Sequence, residues 1–139
     1  ALDLGAERAF GAARLVTRTT VAHAGGAVLP QDAVYFGGPV TAPGYGLAAF
    51  AARTALAQRV EWRTPVPFPS VSLGRYGRSP ARATLAPFAH AVHVARPIDL
   101  RSARSGWYPA VGAGAYLFFD LVRLDVARGL RDGRWTFAV

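Results

Sequence analysis

Hydrophobic and polar side chains alternate with a period of two along several stretches of the chain. Val60 and Trp62 share one side of an extended strand, whereas Arg59, Glu61 and Arg63 share the other side. The same alternation recurs near the C-terminal end of the sequence. A strand with one apolar and one charged side suits either a sheet that covers a core or a barrel wall between lipid and a wet lumen.

The spacing of these stretches predicts an all-β fold, an antiparallel meander of about seven strands. Most of the predicted strands have about ten residues, which suits a tilted membrane-crossing strand better than the usual soluble strand of about 5–6 residues. A Gly- and Pro-rich connection falls at residues 25–46, a Pro-rich turn at 65–80, an Arg-rich connection at 96–106 and a tight turn at 131–133. Helix signals are poor, and residues 46–58 alone are compatible with a helix. The predicted strands cover residues 2–11, 14–24, 50–65, 82–94, 107–118, 122–129 and 134–139.

The polar sides of the predicted strands carry small or charged residues. Gly112 and Gly114 share one side of a strand, and Arg123 and Asp125 share one side of the next. The dry core of a soluble sandwich needs large apolar side chains there, and each unpaired buried ion would cost several kcal/mol. A lumen tolerates such charges. The residues alone therefore leave both a soluble all-β domain and a membrane barrel open.

Composition narrows the class of protein. The chain of 139 residues amounts to about one domain, and its 52% apolar and 12% aromatic residues argue against disorder. The absence of cysteine excludes a disulfide scaffold and a thiolate metal site. No apolar run has the roughly 20 residues of a membrane helix, and the charged first residues are unlike a signal peptide. Because the chain has no Met, we expect a processed product, a trimmed chain or a piece of a longer protein.

Motifs for catalysis or cofactor binding are weak. His90 and His93 are three residues apart, so they fall on opposite faces of a strand and do not predict a metal site. Gly112-Ala-Gly114 lacks the third glycine and the following helix of a dinucleotide loop. No Ser lies in a nucleophile motif. The sequence therefore predicts no metal, no cofactor and no enzymatic activity.

The net charge of +8 raises the question of nucleic acid, and Arg96, Arg101 and Arg104 form a basic cluster. The other arginines, however, alternate along strands beside acidic residues, which is typical of a lumen face. We therefore expect no nucleic-acid partner. Arginines near strand ends, such as Arg128 and Arg131, are suited to anionic lipid head groups.

Four stretches, taken in chain order, carry a resemblance to a known family. Tyr-Phe-Gly-Gly-Pro-Val-Thr-Ala-Pro-Gly-Tyr at 35–45, preceded by Leu-Pro at 29–30, looks like a Phe-x-Gly-Gly … Val-Arg-Gly-Tyr/Phe loop. Val-Glu-Trp-Arg-Thr-Pro-Val-Pro-Phe at 60–68 looks like the strand that follows this loop. Leu-Ala-Pro-Phe-Ala-His-Ala-Val at 85–92 stands where the family has Phe-x-Asp-x-Gly, and 111–137 looks like the last three strands. The chain thus resembles the C-terminal barrel of the Omp85 superfamily, the BamA/TamA-type assembly and secretion proteins also called the surface antigen D15 family.

The resemblance implies that residues 1–139 are the C-terminal portion of a transmembrane β-barrel of about 16 strands, whose loop at 25–46 folds into the lumen. It implies a place in the bacterial outer membrane and a role in inserting outer-membrane proteins or translocating proteins. The implied partners are outer-membrane lipid, substrate outer-membrane or secreted polypeptides, and accessory assembly proteins. The implied loop motif is Phe36, Gly37, Gly38, Pro43, Gly44 and Tyr45, and the implied lumen face of the wall is Glu61, Arg63, Phe88, His90, Arg123 and Asp125.

Two positions depart from the family pattern. In the family the loop's Arg reaches a carboxylate on the barrel wall, but here Pro43 stands at the Arg position and His90 at the Asp position. Because both partners are replaced, no charge is left unpaired in the lumen. We expect packing of Tyr45 and Phe36 and backbone contacts at the glycines to hold the loop instead. Two alternatives remain: a passive barrel that anchors a fused enzyme, and a soluble all-β domain without transport activity.

Overall fold

The computed structural model describes residues 1–26, 33–98, 104–131 and 134–139. Arg101, part of the predicted 25–46 loop and part of the predicted 131–133 turn lie outside the described residues. The described residues form one antiparallel sheet of eight strands. The strands are β1 (Leu2–Phe10), β2 (Ala13–His23), β3 (Val34–Phe36), β4 (Phe50–Pro67), β5 (Arg82–Pro97), β6 (Gly106–Leu117), β7 (Val122–Gly129) and β8 (Trp135–Ala138).

The strands follow one another in a meander, which confirms the predicted all-β antiparallel class. The order across the sheet is β1-β2-β4-β5-β6-β7-β8, and β3 pairs with the beginning of β4. The seven predicted strands agree with the observed ones to within three residues at each end. The eighth strand, β3, has only three residues, too few to show alternation. Within the described residues β1 and β8 do not pair, so this sheet is not closed into a barrel.

Short helices interrupt the connections. Helix α1 (Gly38–Thr41) lies between β3 and β4, and a 3-10 helix (Gly74–Tyr76) lies between β4 and β5. The stretch 46–58, the one place where a helix was compatible with the sequence, is instead mostly β4, in which apolar and polar residues alternate with a period of two. No helix in the described ranges has the length and apolar character needed to span a membrane.

The sheet has two faces of different character. We call the side that bears Glu61 and His90 the inner face, and the side that bears Val60 and Trp62 the outer face. Asp3 on β1 and Ala138 on β8 lie at opposite edges of the sheet, yet both line one inner-face cavity of about 770 Å³. The sheet therefore curls around its inner face.

The packed apolar core also lies on the inner face. Tyr45, Phe50 and Tyr108 form its aromatic part, with ring centroids 4.4–5.7 Å apart. Val92 and Val94 of β5 are fully buried beneath this cluster. Because Tyr45 belongs to the connection that follows α1, the core is formed by the sheet and the loop together.

Candidate functional site

Glu61 on β4 is the centre of a buried ion-pair network on the inner face. The Glu61 side chain is 3% exposed, and its Oε2 lies 2.9 Å from Nη2 of Arg59. Arg63 Nε donates a hydrogen bond to Oε1 at 2.6 Å, and the Tyr116 hydroxyl on β6 donates to the same oxygen at 2.9 Å. A carboxylate removed from bulk water needs such partners, because an unpaired buried charge is costly.

Arg123 on β7 reaches Glu61 across two intervening strands. Its Nη2 donates to Glu61 Oε2 at 2.9 Å, while its Nε donates to Asp125 Oδ2 at 2.7 Å. In a flat sheet, three strand spacings amount to about 14 Å. The contact therefore requires the curl of the sheet and a free path over β6. Gly114 provides that path, since a Cβ there would overlap the Asp125 carboxylate and lie 3.4 Å from Arg123 Nη2.

Phe88 on β5 supports the network from below. The Arg59 guanidinium carbon lies 3.8 Å from the centroid of the Phe88 ring. Such a cation–π contact contributes about 1–2 kcal/mol when it is desolvated. The ring lies over Gly112, where a Cβ would overlap both the ring and the backbone oxygen of Val126. The two β6 glycines thus make room for the side chains of the neighbouring strands.

His90 lies beside this network, almost completely buried. Its Nδ1 and the Oδ1 of Asp125 have no hydrogen-bond partner among the described residues. His93 lies on the opposite face of β5 and stacks on Trp107, with ring centroids 4.8 Å apart. Within the ranges that the structure describes, no group of three His, Asp or Glu residues could hold a metal ion.

Tyr45 attaches the loop to the inner face of the sheet. Its hydroxyl donates to the backbone oxygen of Pro109 on β6 at 2.6 Å. Its ring packs edge-on against Phe50 and Tyr108. Tyr45 is therefore buried by the sheet although it belongs to a connecting segment.

Gly44 brings the loop backbone into direct contact with the last strands. Its amide donates to Oγ1 of Thr136 on β8 at 2.8 Å. Its φ of 86° favours glycine, and a Cβ would overlap the backbone nitrogen of Gly129 on β7. A side chain at position 44 is thus excluded by both conformation and space.

The base of the loop is closed by Phe36, Gly37 and Gly38. Phe36 ends β3 and is buried in the core. A Cβ at Gly37 would meet the backbone nitrogen of Ala48 at 2.7 Å, and the amide of Gly38 donates to the backbone oxygen of Gly46 at 3.0 Å. The two ends of the loop are therefore in direct contact.

Gly44, the residue after Pro43, lies at the same level of the inner face as His90. Pro43 is fully buried, and the next residue, Gly44, lies over Gly129. Gly129 is directly opposite Ala110, which is directly opposite His90. The backbone below the loop tip is thus two strand spacings, about 10 Å, from His90.

The inner-face cavity lies between α1 and the Glu61 network. Pro39 and Val40 form its apolar side. Arg59 and Tyr116 complete the network but were not among the predicted site residues. Both follow from alternation, since Arg59 shares a side with Glu61 and Tyr116 shares a side with Gly114. The charged side of the cavity is lined by Arg59, Glu61, Arg63, His90, Arg123 and Asp125.

The outer face has the opposite character. Large apolar side chains on every long strand are exposed there, although a soluble protein rarely exposes a contiguous apolar patch above a few hundred Å². Such a face needs an apolar environment to cover it. The exposed members include Leu4, Phe10, Val60, Trp62, Leu85, Trp107, Val111, Leu124, Trp135 and Phe137.

Comparisons with protein-family models, curated proteins and solved structures yield no significant match to the chain. What the protein does is therefore inferred from its own residues.

Proposed function

We propose that this chain is part of the wall of an outer-membrane β-barrel of the Omp85 type, which inserts outer-membrane proteins or translocates polypeptides across the outer membrane. The observation that carries the proposal is the polarity of the sheet. Its outer face is apolar and exposed, whereas its inner face buries an ion-pair network. A soluble antiparallel sheet packs its apolar face on a core, but a barrel wall turns that face to lipid.

Strand length and free edges support a wall. Strands β4, β5 and β6 have 18, 16 and 12 residues, and about 9–11 residues suffice for a tilted membrane crossing. In the described part of the chain, the outer edges of β1 and β8 are unpaired. Unpaired backbone groups in lipid cost several kcal/mol each. In a membrane, further strands of the complete protein would pair with these edges.

The position of the loop supports the Omp85 type. Residues 37–46 lie against the inner face, where Tyr45 and Gly44 contact β6, β7 and β8. The resemblance implies a loop folded into the lumen. The observed loop likewise contacts the inner face, which would be the lumen side of a barrel wall. Packing and backbone hydrogen bonds take over the role of the family's Arg–carboxylate pair.

The aromatic residues support a membrane position for the outer face. Phe10 and Trp62 contact each other near the two-residue β1–β2 turn, with ring centroids 5.6 Å apart. Trp107 and Trp135 lie at the other end, at the beginnings of β6 and β8. Aromatic girdles at both interfaces are typical of membrane barrels. The partners on this face are outer-membrane lipids.

In this proposal the mechanism depends on the sheet edges. A strand edge recruits another strand because its amides and carbonyls lack partners. A substrate polypeptide would add a strand at such an edge, and the Glu61 network would hold the curl of β4 to β7 while it does so. Accessory assembly proteins would deliver the substrate.

One observation favours a second candidate, a passive barrel that anchors a fused enzyme. Pro43 and His90 replace both partners of the family's ion pair. A barrel that serves as an anchor has no need of an adjustable loop contact. The two candidates differ in transport activity and agree on the membrane location.

Two measurements test the proposal in order. Expressed with its native flanking sequence, the protein should fractionate with outer membranes and show heat-modifiable migration on a gel. Recovery in a soluble fraction without detergent would contradict the barrel.

In vesicles, the folded protein should accelerate insertion of an unfolded outer-membrane protein relative to empty vesicles. A folded barrel without this acceleration would instead be the passive anchor.

A further inference from the structure

A groove of about 550 Å³ runs along the outer face of β6, β7 and β8. Gly112 and Ala113 contribute its floor, and larger apolar side chains form its walls. The groove belongs to the face opposite the Glu61 network and was not predicted from the sequence. Its walls are formed by Val111, Val126, Arg128, Leu130 and Trp135.

Arg128 is the one charged residue that lines the groove. Its guanidinium carbon lies 5.6 Å from the centroid of the Trp135 ring, which faces it directly across β7 and β8. Arg59, Arg63 and Arg123 on the inner face pair with Glu61 or Asp125. Among the described residues, no carboxylate forms an ion pair with Arg128. Arg128 therefore combines a guanidinium without an acidic partner with a position beside an apolar groove, which suits an anionic head group on an apolar chain.

We propose that this groove binds a membrane lipid with a net anionic, phosphate-bearing head group. The phosphate lies on the Arg128 guanidinium, and an acyl chain lies along the apolar groove between β6 and β7. The site rests on the proposed function, because the outer face meets lipid in a barrel wall. The ligand follows from the combination of features: the groove alone would suit any apolar chain, and the cation selects the head group.

The position of Arg128 along the strand agrees with a head-group contact. It is the last residue but one of β7, at the same end as Trp107 and Trp135. Tryptophan is enriched where the hydrocarbon ends and the head groups begin, because its ring is apolar and its N–H is polar. Arg131, three residues further along the chain, lies over the Tyr108 ring, 4.3 Å from its centroid, and does not line the groove. Asp132 lies outside the described residues.

The test measures lipid retention by the full-length protein purified in detergent. Native mass spectrometry compares bound dioleoyl phosphatidylglycerol, a net anion, with bound dioleoyl phosphatidylcholine, whose phosphate is balanced by its own choline cation and which should bind more weakly. Arg128→Gln should weaken phosphatidylglycerol binding about tenfold, because a hydrogen bond to a charged group is lost. Arg8→Gln is the matched control: Arg8 also stacks on an outer-face ring, 5.3 Å from Phe10, but near the opposite edge of the sheet. It should leave binding unchanged.

A second variant tests the groove itself. Ala113→Phe keeps the charge and fills the floor, so it should weaken both lipids. Equal phosphatidylglycerol binding by the wild type and Arg128→Gln would overturn the site, even in a protein that migrates as a folded barrel. Full displacement of the lipid by excess inorganic phosphate would also overturn it, since the groove would then contribute nothing. A protein that is soluble without detergent would instead contradict the proposed function.

Discussion

Arg123 and Glu61 form a 2.9 Å ion pair although β5 and β6 lie between their strands. The two residues are 62 positions apart in the sequence. The pair exists because the sheet curls and because β6 carries glycine at positions 112 and 114. Curvature, glycine placement and the buried charges of the inner face are thus parts of one arrangement.

Removing the central carboxylate should destabilise the fold strongly. Glu61→Gln leaves Arg59, Arg63 and Arg123 without their shared partner, and breaking a buried pair typically costs about 3–5 kcal/mol. The free energy of unfolding from a urea titration measures the loss. Glu7→Gln is the control, since the Glu7–Arg14 pair lies on the same face with side chains 48% and 61% exposed. Its cost should stay below about 1 kcal/mol, and equal costs for the two variants would refute the network.

The loop contact at Gly44 has a closely matched control. Gly44 and Gly77 both have a φ of 86°, but a Cβ at Gly77 meets nothing within 4 Å, whereas one at Gly44 overlaps the backbone of Gly129. Gly77→Ala should therefore cost only its unfavourable backbone conformation, φ 86° and ψ −142°, about 1–3 kcal/mol. Gly44→Ala should cost about 4 kcal/mol in unfolding free energy and make the loop sensitive to limited proteolysis. Similar behaviour of the two variants would mean that the loop does not lie on β7.

Gly112 should be sensitive to a single methyl group. A Cβ there would overlap the Phe88 ring and the Val126 backbone oxygen, and overpacking of this kind costs about 1–3 kcal/mol. Gly5→Ala is the control, because the nearest atom to its Cβ is the Thr17 backbone oxygen at 3.9 Å. Gly5→Ala should change the unfolding free energy by less than about 0.5 kcal/mol. Tolerance of alanine at Gly112 would contradict the position of the Phe88 ring over Gly112.

The two positions that depart from the family pattern should be coupled. Pro43→Arg alone adds a charge without a partner to the inner face, and His90→Asp alone places a carboxylate opposite Arg59, whereas together they supply both partners of the family's pair. Since the loop tip and His90 lie at one level about two strand spacings apart, the double variant should recover about 1–3 kcal/mol relative to the sum of the single ones. A double-mutant cycle in urea measures this coupling. Strict additivity would show that the two side chains do not face each other.

The strands were largely predictable because alternation is a local property of the sequence. Each of the seven predicted strands was found, and Arg59, Glu61 and Arg63 share one face as the period of two requires. The short strand β3 could not be separated from its surroundings, because its three residues complete only one repeat.

The network itself could not be predicted from local pattern. The contact between Glu61 and Arg123 depends on the degree of curl and on the pairing register of β4 through β7, which no short stretch encodes. The position of Gly44 on Gly129 is equally non-local. The glycines were visible in the sequence, but what they make room for was not.

The central claim is that the outer face of the sheet meets lipid. Because the 139 residues contain no cysteine, single spin labels can be attached without removing native thiols from this region. The measurement is nitroxide accessibility in vesicles, with one introduced cysteine labelled at a time. The labelled positions are Ala89, Ala113 and Ala115 on the outer face and Arg18 and Thr20 on the inner face. The account predicts that oxygen relaxes the outer labels and a water-soluble nickel complex relaxes the inner ones. If the nickel complex relaxed the outer labels as strongly as the inner ones, the account would be contradicted.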